Sequence, residues 1–151
     1  MASTQYSFGK LTRWSFSLGV SGMFASAFGA RAKVTSSNNM NMFVPDPPSP
    51  ALTFVTADFH PKLYDETTFS PTRAERWRVM IGAAITPNAG IVLGGGYELI
   101  RGLSFEGGGA LLLGNVLPPG AKFSDPATGK ALHTRIGFFG KLFVGLGYSF
   151  Q

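Results

Sequence analysis

The sequence predicts an all-β protein: an antiparallel up-and-down β-barrel of the transmembrane type, with about eight strands, six of them clearly readable. Three observations lead there. Apolar residues recur at every second position in segment after segment, as in strands whose successive side chains face opposite ways. The alternate positions hold mainly Gly, Ser and Ala with isolated charges, too sparse a polar set to wet an exterior. Charged residues are 14% of the chain, against roughly 25% in soluble domains.

The first strand-like segment sets Trp14, Phe16, Leu18, Val20, Phe24 and Phe28 on one parity and Ser15, Ser17, Gly19 and Ser21 on the other. A weaker segment covers Leu52 to Phe59. Trp77, Val79, Ile81 and Ile85 then alternate with Arg78, Met80, Gly82 and Thr86, before the turn signal Pro87-Asn88-Ala89-Gly90. Ile91, Leu93, Tyr97 and Leu99 oppose Gly94, Gly96 and Glu98. A tight turn at Ile100-Arg101-Gly102 leads into Leu103, Phe105, Leu111 and Leu113, which oppose Ser104, Glu106, Gly108 and Ala110. The final segment sets Ile136, Phe138, Leu142, Val144, Leu146, Tyr148 and Phe150 against Gly137, Phe139, Lys141, Phe143, Gly145, Gly147 and Ser149. Tyr6–Gly9 and the second half of the long first segment are candidates for two further strands. The stretches 34–52, 60–76 and 115–134 are rich in Pro, Asn or Gly and are expected to be loops. The whole chain, 1–151, is expected to form a single barrel domain, with 1–12 a loose amino-terminal segment.

Several function classes drop out. There are no cysteines, so disulfides and thiol chemistry are absent. The net charge of +5 comes from scattered basic residues with no run or basic helix, a poor footprint for nucleic acid. No stretch has the roughly 20 apolar residues of a membrane helix. Trp14 to Ala30 lacks charge and ends near Ala25-Ser26-Ala27, so a signal peptide is a second reading, but its apolar residues alternate instead of clustering. Catalytic residues and cofactors are not expected. His60 and His133 read as loop histidines, and Asp58, His60, Asp65 and Glu66 lack a metal-ligand spacing. Gly94-Gly95-Gly96 lies within a strand, unlike a phosphate-cradling loop, and Pro45 to Pro50 reads as an extended surface loop.

With the aliphatic parity facing lipid, the other parity lines a narrow lumen. Arg78, Glu98, Glu106 and Lys141 then form an internal charge network. If the hairpin closes about Gly102, Glu98 faces Glu106; if the preceding one closes about Asn88, Arg78 faces Glu98. The structural role, a plug of paired charges, is favoured over a pore constriction. Trp77, Tyr97, Phe105, Tyr148 and Phe150 share the outward parity near strand ends, and alternating strand direction brings them to one interface as an aromatic girdle.

The run Phe143-Val144-Gly145-Leu146-Gly147-Tyr148-Ser149-Phe150 alternates and finishes on an aromatic residue, and in this it resembles the last strand of bacterial outer-membrane β-barrel proteins. The turn after Tyr97-Glu98-Leu99 is similar to their periplasmic turns. The resemblance covers roughly residues 76–151. It departs from the family in ending on Gln151 after the aromatic and in offering six clear strands against a family minimum of about eight. It implies an outer-membrane location, contact with membrane lipid, a structural or porin-like role, and recognition by the barrel assembly machinery through Leu146, Tyr148 and Phe150. Loops 34–52 and 115–134 would be free to meet surface partners. Two other classes stay open: a soluble β-barrel whose inward Phe139 and Phe143 line an apolar-ligand pocket, and a β-rich subunit that closes only by oligomerising.

Overall fold

A computed structural model describes residues 11–37, 40–47, 49–65, 72–124, 126 and 134–150. Its regular elements are all strands: β1 (Leu11–Phe28), β2 (Ala32–Ser37), β3 (Met40–Pro45), β4 (Ala51–Asp65), β5 (Trp77–Thr86), β6 (Gly90–Ile100), β7 (Leu103–Val116) and β8 (Arg135–Phe150). Six of them, in the order β1-β4-β5-β6-β7-β8, form a closed antiparallel barrel, with β1 paired to β8 at the seam. The alternation read from the sequence is the alternation of the wall. In β5, Arg78, Met80 and Ala84 are buried inside, while Trp77, Val79, Ile81 and Ile85 stand more than half exposed outside.

The expected count of about eight barrel strands is corrected to six. The other two, β2 and β3, make a separate two-stranded hairpin inside the stretch expected to be a loop at 34–52. The long first segment is one continuous strand, not two, and it takes in Leu11 and Thr12 of the segment expected to be loose. Tyr6–Gly9 lies outside the described residues. The expected loop at 60–76 is also shortened, because β4 runs on to Asp65. It does so past Pro61, which sits where the β1–β4 ladder is already irregular, between the Trp14–Phe59 and Thr12–Tyr64 pairs. A proline without an N–H is tolerated where the ladder is broken.

Two features fix the geometry. The β6–β7 turn has two central residues, Arg101 and Gly102, and Gly102 holds φ +79°, a left-handed conformation that glycine adopts at no steric cost. The strands are also strongly staggered. Following paired residues once around the wall leads from Ser17 through Thr56, Gly82, Val92, Ala110 and Lys141 to Ser26. The circuit thus climbs nine residues along β1 (26 − 17), the stagger that barrel closure demands.

The interior divides along the axis. Toward the Arg101–Gly102 end it is polar, with Ser15, Ser17, Thr56, Asp58, His60, Arg78, Glu98, Ser104, Glu106 and Ser149 all buried. Toward the other end Leu52, Phe54, Met80, Ala84, Val92, Ala110, Leu112, Phe139 and Phe143 form one apolar core. The β2–β3 hairpin is tied to this second end. The Ser124 N–H donates to the Phe43 carbonyl at 2.9 Å, Arg31 bridges to Val116, and Ala32 and Phe43 are buried.

Candidate functional site: an ion-pair network inside the barrel

Arg78 is the hub of the polar half. It projects inward from β5, and its guanidinium, 2% exposed, meets two carboxylates that are fully buried: Asp58 of β4 at 3.2 Å and Glu106 of β7. Register explains how the β7 carboxylate is reached. Arg78 pairs with Gly96 on β6, and Gly96 pairs with Glu106 on β7. A Cβ built on Gly96 would lie 2.8 Å from Arg78 Nε, so the absent side chain is the space through which the ion pair crosses a strand. Gly147 gives Glu106 room in the same way, and a Cβ on Gly19 would come within 2.8 Å of Glu106 Oε2.

Hydroxyls complete the network. Ser17 donates to Asp58 Oδ2, and Thr56 donates to Asp58 Oδ1 at 2.8 Å. Arg78 also donates to Ser149 Oγ, which lies 3.1 Å from Ser17 Oγ. Because the Ser17 proton is committed to Asp58, Ser149 is the donor in that contact. Arg78, Ser149, Ser17 and Asp58 therefore close a ring that spans β5, β8, β1 and β4. On the other side Arg78 donates to Ser104 Oγ, which lies 3.0 Å from both Glu106 Oε1 and the Gly147 carbonyl. Buried charges are expensive unless paired and hydrogen-bonded, and this arrangement supplies both conditions for Asp58.

The expected network of Arg78, Glu98, Glu106 and Lys141 is corrected in membership and in register. Arg78 and Glu106 meet, but Glu98 does not face Glu106. Beyond a register shift between Glu98 and Ile100 the ladder is centred on Arg101, one residue earlier than expected, so Glu98 pairs with Ser104 and Glu106 with Gly96. Nor does Glu98 face Arg78, whose partner is Gly96. Glu98 is buried and accepts the Gly102 N–H at 2.9 Å, binding the turn. Lys141 has the inward parity but leaves the network: the stagger sets it opposite Ala110, two inward positions beyond Glu106, where it donates to Ser26 Oγ at 2.6 Å.

Asp58 and His60 are the residues the sequence reading left out. Both are inward on β4, so His60 is not the loop histidine expected, and His60 Nε2 lies 3.0 Å from Ser15 Oγ. The signal was present as parity, since Leu52, Phe54, Thr56, Asp58 and His60 alternate, but His60-Pro61 reads as a strand end. Glu66 and His133 lie outside the described residues. Among the described residues no group of three or more acidic, His or Cys side chains is placed to hold a metal ion.

The outer face carries the aromatic band. Trp77 pairs with Tyr97, Tyr97 with Phe105, and Leu103 with Tyr148, all near the Arg101–Gly102 end, while Phe150 pairs with Phe16 at the seam. Trp77, Phe105, Tyr148 and Phe150 are at least half exposed, and the Trp77–Tyr97 and Tyr148–Phe150 rings touch at 5.2 and 5.5 Å. Trp14 and Phe59, in ring contact at 5.1 Å, extend the band across β1 and β4. Every barrel strand thus contributes an aromatic residue. No family model, curated protein or solved structure matches this chain.

Proposed function

We propose that the chain is a non-enzymatic transmembrane β-barrel of the bacterial outer-membrane type, serving as a structural barrel closed to flow. One observation carries this: the wall is inverted relative to a water-soluble barrel. Asp58, Arg78 and Glu106 are all but fully buried, while Val79, Ile81, Leu93, Ile136, Phe138, Leu146 and many other large apolar side chains stand outside. In water such an exterior is a large exposed apolar surface; in lipid it is the apolar band that a spanning barrel presents, with aromatics at its margin. A closed wall also meets the need to satisfy every backbone polar group within the bilayer.

Between structural and porin-like roles, the filled interior favours the structural one. Eight strands give an interior about wide enough for side chains to fill, and six give less. Here Phe54, Phe139, Phe143 and Leu112 occupy one half and the Arg78 network the other. The same packing disfavours the soluble ligand-binding alternative, since Phe139 and Phe143 face inward but pack into a core, with Phe143 against Phe54 at 5.2 Å. The β1–β8 seam disfavours closure by oligomerising. In this reading the Arg101–Gly102 turn and the aromatic band face the periplasm. The β2–β3 hairpin, within the stretch 34–52, would face the cell surface and its partners. Leu146, Tyr148 and Phe150, outward on β8, would carry the assembly-machinery signal that the resemblance implies.

Refolding from urea with and without detergent micelles tests the proposal, read by far-UV circular dichroism and by gel mobility before and after boiling. A β signal that needs micelles, together with a heat-modifiable band, is expected. A soluble, folded monomer in buffer alone would overturn it. Planar-bilayer recording tests closure separately, and steady single-channel conductance would reject it.

A further inference from the structure

Of the open cavities at the barrel end away from the Arg101–Gly102 turn, two are lined by Lys141. The first, about 290 Å³, opens at the rim between Arg31, Asp46, Ser26, Phe139 and Lys141. The second, about 320 Å³, is a furrow on the outer wall bounded by Phe28, Ile91, Leu93, Leu111 and Gly140, with Gly109 in its floor. Its depth comes from Gly109, where a built Cβ meets nothing within 4 Å. Leu93 and Leu142, the neighbours of Gly109 across the sheet, point outward on either side.

Between the cavities lies the end of β1, which slips register against β8 twice, at Met23–Ala25 and at Ser26–Phe28. Bulges re-aim side chains. Here they set Ser26 opposite Lys141 and lay the Phe28 ring over Gly140. The rim cavity holds two cations against one carboxylate. Arg31 is paired with Asp46 at 2.6 Å, whereas Lys141 donates to Ser26 Oγ and has no carboxylate partner among the described residues. A positive rim continuous with an apolar furrow matches one kind of molecule, an anionic head joined to a hydrocarbon chain. A free anion has no use for the furrow, and a neutral hydrocarbon has none for the lysine.

We propose that this rim binds one phosphate-bearing membrane lipid, its phosphate at Lys141 and Arg31 and an acyl chain along the Gly109 furrow. The proposal rests on the transmembrane reading, and its test separates the two. The full chain, folded in dodecyl maltoside, is checked for its detergent requirement and heat-modifiable band. The same sample is then titrated with dioleoyl phosphatidylglycerol, dioleoyl phosphatidylcholine or glycerol 3-phosphate, and bound molecules are counted by native mass spectrometry.

The expected result is one retained phosphatidylglycerol, weaker retention of phosphatidylcholine and none of glycerol 3-phosphate. Lys141→Gln lowers phosphatidylglycerol retention about fivefold, the effect of one basic residue at an anionic lipid surface. Gly109→Leu, whose Cβ has open space, puts a side chain into the furrow and lowers retention as well, with the folded band unchanged. Equal retention of the two lipids, or unchanged retention in both variants while the barrel still requires detergent, overturns the lipid site and leaves the membrane reading standing. Retention of glycerol 3-phosphate untouched by Gly109→Leu overturns it in favour of a bare anion site. Folding in buffer alone removes both.

Discussion

The two faces of the barrel wall follow opposite rules although they are written one residue apart. On β5, Arg78 lies in a buried ring of ion pairs and hydroxyls, and its neighbour Val79 is 57% exposed. On β7, Glu106 is wholly buried and Phe105 is half exposed. Inside, the charged side chains Asp58, Arg78 and Glu106 have specific partners, and glycines such as Gly96 leave the space in which they meet. Outside, the residues are apolar with few partners, and glycines such as Gly109 simply leave space. The inner face therefore specifies register, and the outer face specifies the solvent.

Breaking the inner face should cost most. Arg78→Met leaves Asp58 and Glu106 buried without their cation and is expected to remove about 3–5 kcal/mol of stability, read from the urea dependence of the heat-modifiable band. Adding Asp58→Asn and Glu106→Gln should restore part of that loss, because the cost lies in the uncompensated charge. The outer face is tested by Ile81→Arg, at the middle of β5. In lipid this costs about 2–4 kcal/mol; in water a surface substitution stays within about 0.5 kcal/mol, so a neutral result would break the contrast. The two kinds of glycine sharpen it further. Gly96→Ala pushes a methyl against Arg78 and is expected to cost about 1–3 kcal/mol. Gly109→Ala meets nothing and should stay within about 0.5 kcal/mol. Lys141→Gln should likewise change stability by less than about 0.5 kcal/mol, because Lys141 shares the inner parity but not the ring.

How far these faces could be read from the sequence depended on what encodes them. Parity is local, so β1 and β5 to β8, the outward aromatics and the inward Arg78, Glu98 and Glu106 were all legible. Register is not local. Moving the centre of the β6–β7 ladder by one residue took Glu98 away from Glu106 and put Gly96 across from it. The nine-residue climb around the wall carried Lys141 beyond the network, and only the closed barrel determines that climb. His60 was hidden by Pro61, which ends most strands but falls here in a break of the ladder, and Asp58 lay in a segment too weakly patterned to count among the inward charges. The β2–β3 hairpin was hidden by length, since two six-residue strands, the second running into prolines, give too few periods to stand out. Asn38-Asn39, a turn-favouring pair between Val34-Thr35 and Met42-Phe43-Val44, was the available sign.

The ring around Arg78 also has a consequence in time. Its Ser17–Ser149 contact joins residues 132 positions apart, and the seam pairs the first barrel strand with the last. Ser149 lies on the last strand while Asp58, Arg78 and Glu106 lie on earlier ones, so the guanidinium lacks its last acceptor until β8 docks. Contacts of such long sequence separation form slowly, because the loop entropy must be overcome first. Until then β1 and β7 are two open sheet edges able to pair with other chains. Sealing the seam and completing the charge ring are one event, so a chain stalled before β8 is left with sticky edges and an incompletely satisfied arginine together.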